Sequence, residues 1–348
     1  MRSVLRRLAC LFITLPAAVS FTACSSQSTA SAPIPAAHGW TKESEIKVGR
    51  TPGPVALGGA WAFVANMSDG TVTQIDRASG RVEATITVAD PRLLRDQGCA
   101  PDSVHAYYSG SWGLRACDTP YAIAWGDSAL WALDDGARQL VRVDPASHTA
   151  TTRIALPGTG WGVAVSGTTA YVSGFAANHD LYEIDLHSGI VRTLTDLDTG
   201  PASLAADATG VWVACVRAGT GHLDRVDPTS GEVTARYPID WWSTAVTADR
   251  GAVYVRGTFG GEISKIDAAT GSMTWSEPGP GFIGRQGIDQ LGLAPNGIWM
   301  SGPTTARVDL ATGGIVETIR TPSSSVASDG GEVWLIELNG SVAKFQLK

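Results

Sequence analysis

The chain has 348 residues, 44% of them hydrophobic, and its 26 Lys and Arg against 33 Asp and Glu give a net charge of -7. That apolar content is too high, and that charge too low, for a disordered chain. The 40 glycines and 18 prolines exclude a coiled coil or a long helical bundle, because both residue types break helices. The composition therefore indicates a globular, mainly β protein.

Residues 1–23 have the layout of an export signal. Three arginines precede an apolar run from Leu8 to Phe21, which is too short for a membrane-spanning helix. The next residues, Thr22-Ala23-Cys24, complete a segment that resembles the lipobox of bacterial lipoproteins, although Phe21 stands where leucine is usual. This resemblance implies a signal peptide that is removed and a lipid attached to Cys24. Plain secretion with an incidental cysteine is the alternative.

Residues 24–39 are rich in Ser, Ala and Pro, which predicts a flexible tether. Removal of residues 1–23 takes away three arginines and no acid, so the mature chain is more acidic than the whole chain. An acidic protein is repelled by phosphate groups, so we expect no nucleic-acid partner. We expect contact with the membrane through the lipid anchor only, on the extracytoplasmic face of the cell membrane.

From residue 40 onward, one sequence unit occurs seven times. A short apolar pair, usually ending in Ala, stands seven residues before an aromatic residue. The aromatics are Phe63, Trp131, Tyr171, Trp212, Tyr254, Trp299 and Trp334. The next segment ends in a hydrophobic residue and Asp in six copies, and a turn follows that usually contains Ser or Thr before Gly. Four short segments per repeat are the unit of a β-propeller blade, and the Asp residues predict tight turns rather than a catalytic ring.

The seventh copy ends after three predicted strands, Ser324–Ser328, Glu332–Leu338 and Ser341–Leu347. The segment Ile46–Pro52 reads like Glu317–Pro322, which ends the sixth copy. The first strand of the domain is therefore expected to complete the last blade, which pairs two free strand edges and closes the ring. The sequence predicts an all-β fold, a seven-bladed β-propeller of four-stranded blades over residues 40–348.

One insertion interrupts the repeats, at residues 89–118 between blades 1 and 2. The step from Phe63 to Trp131 is 68 residues, whereas the other steps are 35 to 45 residues. Cys99 and Cys117 bracket the insertion, and outside the cytoplasm they are expected to form a disulfide, with two free thiols as the alternative. Cys215 lies in a strand pattern and is predicted to be a buried thiol.

The segments Val48–Ala56, Phe63–Asn66 and Gly70–Asp76 resemble the YVTN-type β-propeller repeat. The resemblance covers about residues 44–348 without the insertion, and it implies the fold while leaving the function open. Distant similarity to the virginiamycin B lyase group implies a metal held by histidines near the central cavity, but no histidine falls in a predicted innermost strand. The segment Lys265–Trp275 resembles the tryptophan-docking motif of quinoprotein propellers, which implies that Trp275 packs between blades.

The sequence contains no H-E-x-x-H, C-x-x-C or G-x-S-x-G motif, and no two histidines have a ligand spacing on one element. The histidines are expected at the surface, and Asp134-Asp135-Gly136 is expected to be a hairpin turn rather than a calcium loop. We therefore expect no metal, no cofactor and no enzymatic activity. The alternative is a lyase or hydrolase that uses Asp289 and His105.

The candidate site is the mouth of the ring, the end where loops lead into the innermost strands. The residues expected there are Tyr121, Trp161, Trp241, Trp242, Thr244, Asp289 and Gln290. The insertion adds Tyr107, Tyr108 and Trp112 and is expected to cover the mouth as a lid. Aromatic faces with a few hydrogen-bonding groups suit a small polar ligand, a glycan or a peptide. The alternatives are that the tryptophans pack between blades, or that the protein is a structural partner of an envelope protein.

Overall fold

The computed structural model describes residues 39–90, 92–93, 119–174, 178–197, 200–217, 220–240, 243–249, 251–257, 261–281 and 290–347. The chain divides into two compact units, Met1–Pro33 and Ile34–Lys348, and all described residues belong to the second unit. Within the described ranges the chain forms 28 strands, arranged in seven four-stranded antiparallel sheets.

The strands follow one another from the axis outward in each blade. After β1 (Trp40–Lys47), blade 1 consists of β2 (Pro52–Gly58), β3 (Trp61–Asn66), β4 (Thr71–Asp76) and β5 (Val82–Thr87). Blade 2 consists of β6 (Ile123–Gly126), β7 (Ala129–Asp134), β8 (Gln139–Asp144) and β9 (Thr149–Ala155). Blade 3 consists of β10 (Gly160–Ser166), β11 (Thr169–Gly174), β12 (Asp180–Asp185) and β13 (Val191–Asp196). Blade 4 consists of β14 (Pro201–Asp207), β15 (Gly210–Arg217), β16 (Thr220–Val226) and β17 (Val233–Ile239).

The last three blades repeat the same order. Blade 5 consists of β18 (Ser243–Asp249), β19 (Ala252–Gly257), β20 (Glu262–Asp267) and β21 (Met273–Pro278). Blade 6 consists of β22 (Leu291–Ala294), β23 (Gly297–Met300), β24 (Thr305–Val308) and β25 (Ile315–Ile319). Blade 7 consists of β26 (Ser323–Ser328), β27 (Glu332–Glu337) and β28 (Ser341–Leu347), with β1 as its outermost strand.

The ring closes through β1, as the sequence predicts. Strand β1 pairs antiparallel with β28, and Ile46 lies opposite Val342. The innermost strands β2, β6, β10, β14, β18, β22 and β26 each contact the next, and β26 contacts β2. The first strand of the domain is therefore the outermost strand of blade 7. It covers the edge of β28 and gives blade 7 four strands, like the other six blades.

The seven repeated aromatics form the core. Each lies on the second strand of its blade and is buried between neighbouring blades, and Trp131, Trp212, Trp299 and Trp334 are 0% exposed. A basic side chain on the third strand lies opposite the aromatic in five blades. For example, the Arg225 guanidinium lies 5.4 Å from the centre of the Trp212 ring. In such cation–π contacts the positive charge is attracted to the face of the aromatic ring.

The repeated Asp residues build the turns between third and fourth strands. The Asp227 carboxylate accepts hydrogen bonds from the backbone N–H groups of Thr229 and Ser230, both at 2.8 Å. These bonds, with the bond from Ser230 first, hold the pKa of Asp227 below its usual value. The carboxylates of Asp185, Asp267 and Asp309 accept equivalent bonds, and their pKa values are lowered in the same way. At Asp76 the hydroxyl of Ser79 lowers the pKa first, and the backbone N–H of Ser79 second. The prediction that these residues form turns is confirmed.

Because the pKa values of these turn residues are lowered in the folded protein, we expect the stability of the fold to decrease at acid pH. A carboxylate whose pKa is lower in the folded state stabilises the fold above its unfolded pKa of about 3.9, and this contribution is lost as the pH falls through the folded pKa. We expect Asp227→Asn and Asp267→Asn together to flatten the fall in melting temperature between about pH 5 and pH 2. Thermal unfolding over this pH range checks the effect. Glu83→Gln, on the exposed outer strand of blade 1, is the control, and an identical pH profile for all three chains would contradict the expectation.

Candidate functional site

The innermost strands enclose a cavity of about 520 Å³ at the axis of the ring. All seven blades contribute to its wall, mainly through the apolar pairs that recur in the sequence, such as Val55-Ala56 and Val326-Ala327. Among the described lining residues there is no Asp, Glu, Lys, Arg or His. The polar lining side chains are those of Tyr121, Ser203, Thr247, Gln290 and Ser328, together with the indoles of Trp125 and Trp161. The described part of the wall therefore carries no charged side chain, and polar groups make up more of its exposed surface than apolar groups do.

Gln290 links three blades at this wall. Its side-chain oxygen Oε1 accepts hydrogen bonds from the backbone N–H of Val55, at 3.0 Å, and from the hydroxyl of Ser325. Because Oε1 is the acceptor, the amide Nε2 is left as a donor, and no acceptor within the described ranges bonds to it. Ser203 makes a similar bridge, since its Oγ accepts the backbone N–H of Val246 at 3.1 Å. These side chains hold adjacent innermost strands together and also face the cavity.

Two of the predicted mouth residues lie side by side. The rings of Tyr121 and Trp161 have centroids 4.4 Å apart and planes 43° apart, and both side chains line the cavity. Trp161 is only 8% exposed, because it packs against Ala202 and Val216 of blade 4. Trp161 therefore packs between blades, as the alternative predicts, and both residues also line the cavity.

Of the other residues predicted at the mouth, the structure describes only some. Thr244 lies in β18, and only its backbone is described. The predictions that fall outside the described residues concern Cys24, Cys99, His105, Tyr107, Tyr108, Trp112, Cys117, Trp241, Trp242 and Asp289. The disulfide, the lid and the Asp289–His105 alternative therefore stay predictions. Trp275 packs between blades as expected, with its Nε1 3.4 Å from the carbonyl oxygen of Leu310 in the turn of blade 6.

A side-chain cluster that the sequence did not reveal lies in blade 4. Ligating atoms of Cys215, His222 and Asp224 all lie within 4.8 Å of one another. Cys215 is buried, as predicted. The expectation of surface histidines holds for His148 and His187, whereas His179 and His222 are of intermediate exposure, with the His222 side chain 15% exposed. The sequence spacing Cys-x6-His-x-Asp does not by itself predict that the three side chains lie together. The position of the turn between β15 and β16 must also be known, because the turn determines which residues lie opposite each other.

No protein-family model matches the sequence, and no curated protein sequence matches it. Solved structures do match. A Kuenenia stuttgartiensis hydrazine synthase chain has a TM-score of 0.65 at 16% identity and covers 88% of this chain and 99% of its own. The WD40 β-propeller domain of Doa1 has a TM-score of 0.65 at 12% identity, with coverage of 89% and 97%. The chain is a seven-bladed β-propeller.

The computationally designed Ika8 protein also matches, with a TM-score of 0.59 at 12% identity and coverage of 85% and 83%. At such identities the likeness shows the shared fold alone and transfers no activity. The narrower resemblances to YVTN-type repeats, to the virginiamycin B lyase group and to quinoprotein propellers stay predictions. Within the described ranges, none of the helical segments is long and apolar enough to span a membrane.

Proposed function

We propose that the protein is a binding module that takes an uncharged ligand, a neutral glycan or small polar molecule, into the cavity at the axis of the propeller. The observation that carries this proposal is the cavity wall. It encloses about 520 Å³ and has no charged side chain among the described lining residues. The volume lies within the range of about 300–1,000 Å³ that is usual for small-molecule sites, and the polar groups of the wall can set the orientation of a ligand.

The wall chemistry supports a neutral ligand rather than an ion. A charged group that enters this cavity loses its hydration and finds no opposite charge among the described lining residues, which costs several kcal/mol. A sugar ring has an apolar face that can stack on the aromatic rings of Tyr121 and Trp125. Its hydroxyl groups can accept from Gln290 Nε2 and bond to the hydroxyl of Thr247.

A substitution that fills the cavity should lower the affinity for the ligand, whereas the same substitution outside the cavity should not. Ala124 lines the cavity, so Ala124→Phe fills part of it. Thr85→Phe adds the same side chain on the exposed outer strand of blade 1 and is the matched control. With N-acetylglucosamine oligomers and an uncharged tripeptide as probes, we expect Ala124→Phe to weaken binding at least about tenfold and Thr85→Phe to leave it unchanged.

Isothermal titration calorimetry gives the affinities, and thermal unfolding checks that both variants are folded. Equal affinity of the two variants would place the ligand outside the cavity. Absence of binding by every uncharged probe, or a preference for charged compounds, would contradict the proposed ligand class.

We also propose that Cys24 carries the lipid that tethers this module to the outer face of the cell membrane. The support is the signal layout of residues 1–23 and the small, polar tether that follows. Cell fractionation of Cys24→Ser beside the unchanged chain tests the tether, because only a lipidated chain partitions with membranes.

A further inference from the structure

We propose that Cys215, His222 and Asp224 form a binding site for one transition-metal ion within blade 4, and that zinc is the ion that fits it best. The site is separate from the axial cavity, whose lining includes none of these three residues. The proposal therefore does not depend on the ligand of the cavity.

The sheet register places the three side chains together. Strands β15 and β16 pair without a register shift from Val211 to Arg217, and Cys215 lies directly opposite His222. Asp224 lies two residues after His222 on β16, so it points to the same face of the sheet. Side chains that are paired across strands, or two apart on one strand, have neighbouring positions on that face. The backbone therefore holds three potential ligands in fixed positions.

The distances are close to those of a tetrahedral site. Cys215 Sγ lies 3.9 Å from Asp224 Oδ2, and His222 Nε2 lies 3.4 Å from the same oxygen. Zinc bonds of about 2.3 Å to sulfur and about 2.0 Å to nitrogen or oxygen place neighbouring ligand atoms roughly 3.3–3.5 Å apart. The separation of Sγ and Nε2 lies within 4.8 Å, so the ligand atoms have to approach one another by at most about 1.3 Å to reach these values.

The donor set also selects the class of metal. A thiolate, an imidazole and a carboxylate together suit zinc and similar divalent ions, whereas calcium and magnesium prefer oxygen ligands only. On binding, the ion replaces the proton of the Cys215 thiol, which goes to solvent. The neutral imidazole of His222 offers its Nε2 lone pair and keeps its proton on Nδ1. The thiolate and the Asp224 carboxylate then offset the two positive charges of the ion, and the guanidinium of Arg236 leaves the site with one net positive charge.

Arg236 would act as the positioning residue of this site. Its Nε donates to Asp224 Oδ1 at 2.7 Å and its Nη2 donates to Oδ2 at 2.9 Å. A carboxylate offers about four lone-pair positions, so the guanidinium leaves acceptor capacity on Oδ2 for the ion. Hydrogen-bond partners of this kind orient the ligands of metal sites.

Access and rigidity favour a slowly exchanging, structural ion. Cys215 and Asp224 are 0% exposed, whereas the His222 side chain is 15% exposed and leads to solvent. The competing explanation is that buried Asp224 only needs donors and obtains them from Arg236, His222 and the weakly donating thiol of Cys215. That arrangement predicts no metal affinity, so the two explanations are separable.

The test is titration of the full, chelator-treated chain with Co²⁺ and then Zn²⁺. We expect one cobalt ion to give a sulfur-to-cobalt charge-transfer absorption that zinc abolishes, and zinc to raise the melting temperature. Cys215→Ser and His222→Gln should each weaken zinc binding about a hundredfold or more, and Arg236→Gln about 10–100-fold. His187→Gln, in an exposed turn of blade 3, is the matched control and should change nothing.

Two outcomes would overturn the proposal. A charge-transfer band that persists in Cys215→Ser would assign the cobalt to another cysteine of the chain. A folded chain that takes up no zinc would leave Asp224 as an acceptor of hydrogen bonds only. If Cys215→Ser does not fold, His222→Gln decides the question, because the half-buried imidazole is removed without emptying the core.

Discussion

A chain that begins at residue 48 is expected to lose several kcal/mol of stability, whereas a chain that begins at residue 39 keeps the stability of the complete chain. Globular domains have total stabilities of only about 5–15 kcal/mol, so a loss of this size leaves much of the protein unfolded. The physical reason is that β1 is the outer strand of blade 7 and the only partner of that edge of β28.

The packing around β1 extends the effect into blade 1. Ile46 is 7% exposed and belongs to a cluster that includes Val55 of blade 1 and Trp334 of blade 7. Without β1, this cluster is opened to water at the one junction where the two ends of the chain meet. The apolar surface that is exposed no longer contributes its roughly 25 cal/mol per Å² to folding.

Charged side chains that pair with β1 residues also lose an ion-pair partner when β1 is removed. Lys42 on β1 pairs with Glu337 at 2.9 Å, and Lys344, which is 5% exposed, pairs with Glu43 at 2.9 Å. Lys344 keeps Glu332 as a partner at 3.5 Å, so the loss of Glu43 removes only part of its compensation. Because Lys42 and Glu43 are partly exposed, these pairs contribute less than the strand pairing and the packing of Ile46. The truncated chain therefore combines an unpaired strand edge, an opened cluster and the loss of two ion pairs.

Urea unfolding followed by tryptophan fluorescence measures the difference between the two truncated chains. Equal midpoints would show that the ring does not need its closing strand. Recovery of the transition when a synthetic peptide of residues 39–47 is added to the shorter chain would support the strand-pairing explanation.

The fold could be predicted because its signals are local and repeat in every blade. The spacing from apolar pair to aromatic, the Asp-containing turn and the similarity of Ile46–Pro52 to Glu317–Pro322 are each weak alone. Because the same signals recur in seven copies of the repeat, few folds other than a seven-bladed propeller are compatible with the sequence. Closure by β1 could be predicted because the seventh copy supplies only three strands, whereas the other six blades have four.

The candidate site could be predicted only in part, because it depends on contacts between blades. Tyr121, Trp161 and Gln290 were found from their positions before the innermost strands. The role of Gln290 as a bridge to Val55, 235 residues away, depends on how blade 6 meets blades 7 and 1. The cluster around Asp224 depends on the register of β15 and β16, which composition does not determine.

Trp212→Ala is expected to cause a large loss of stability. Trp212 is 0% exposed and belongs to the cluster between blades 4 and 5, where it packs with Ala214, Val246 and Val253. Replacing a buried tryptophan by alanine typically costs about 3–5 kcal/mol, because transfer free energy is lost and a cavity remains. The Arg225 guanidinium also loses the ring beneath it, so its cation–π contribution is lost.

Met273→Ala is the matched control, because Met273 is 54% exposed on the outer strand of blade 5 and should change stability by less than about 0.5 kcal/mol. Urea unfolding gives both the midpoint and the slope for each variant. If the seven blades unfold as one unit, Trp212→Ala shifts the midpoint and leaves the slope unchanged, because the same surface is exposed on unfolding. A reduced slope with two transitions would instead show that blades 4 and 5 unfold separately. A loss below about 1 kcal/mol would contradict the central role of the repeated aromatic in holding neighbouring blades together.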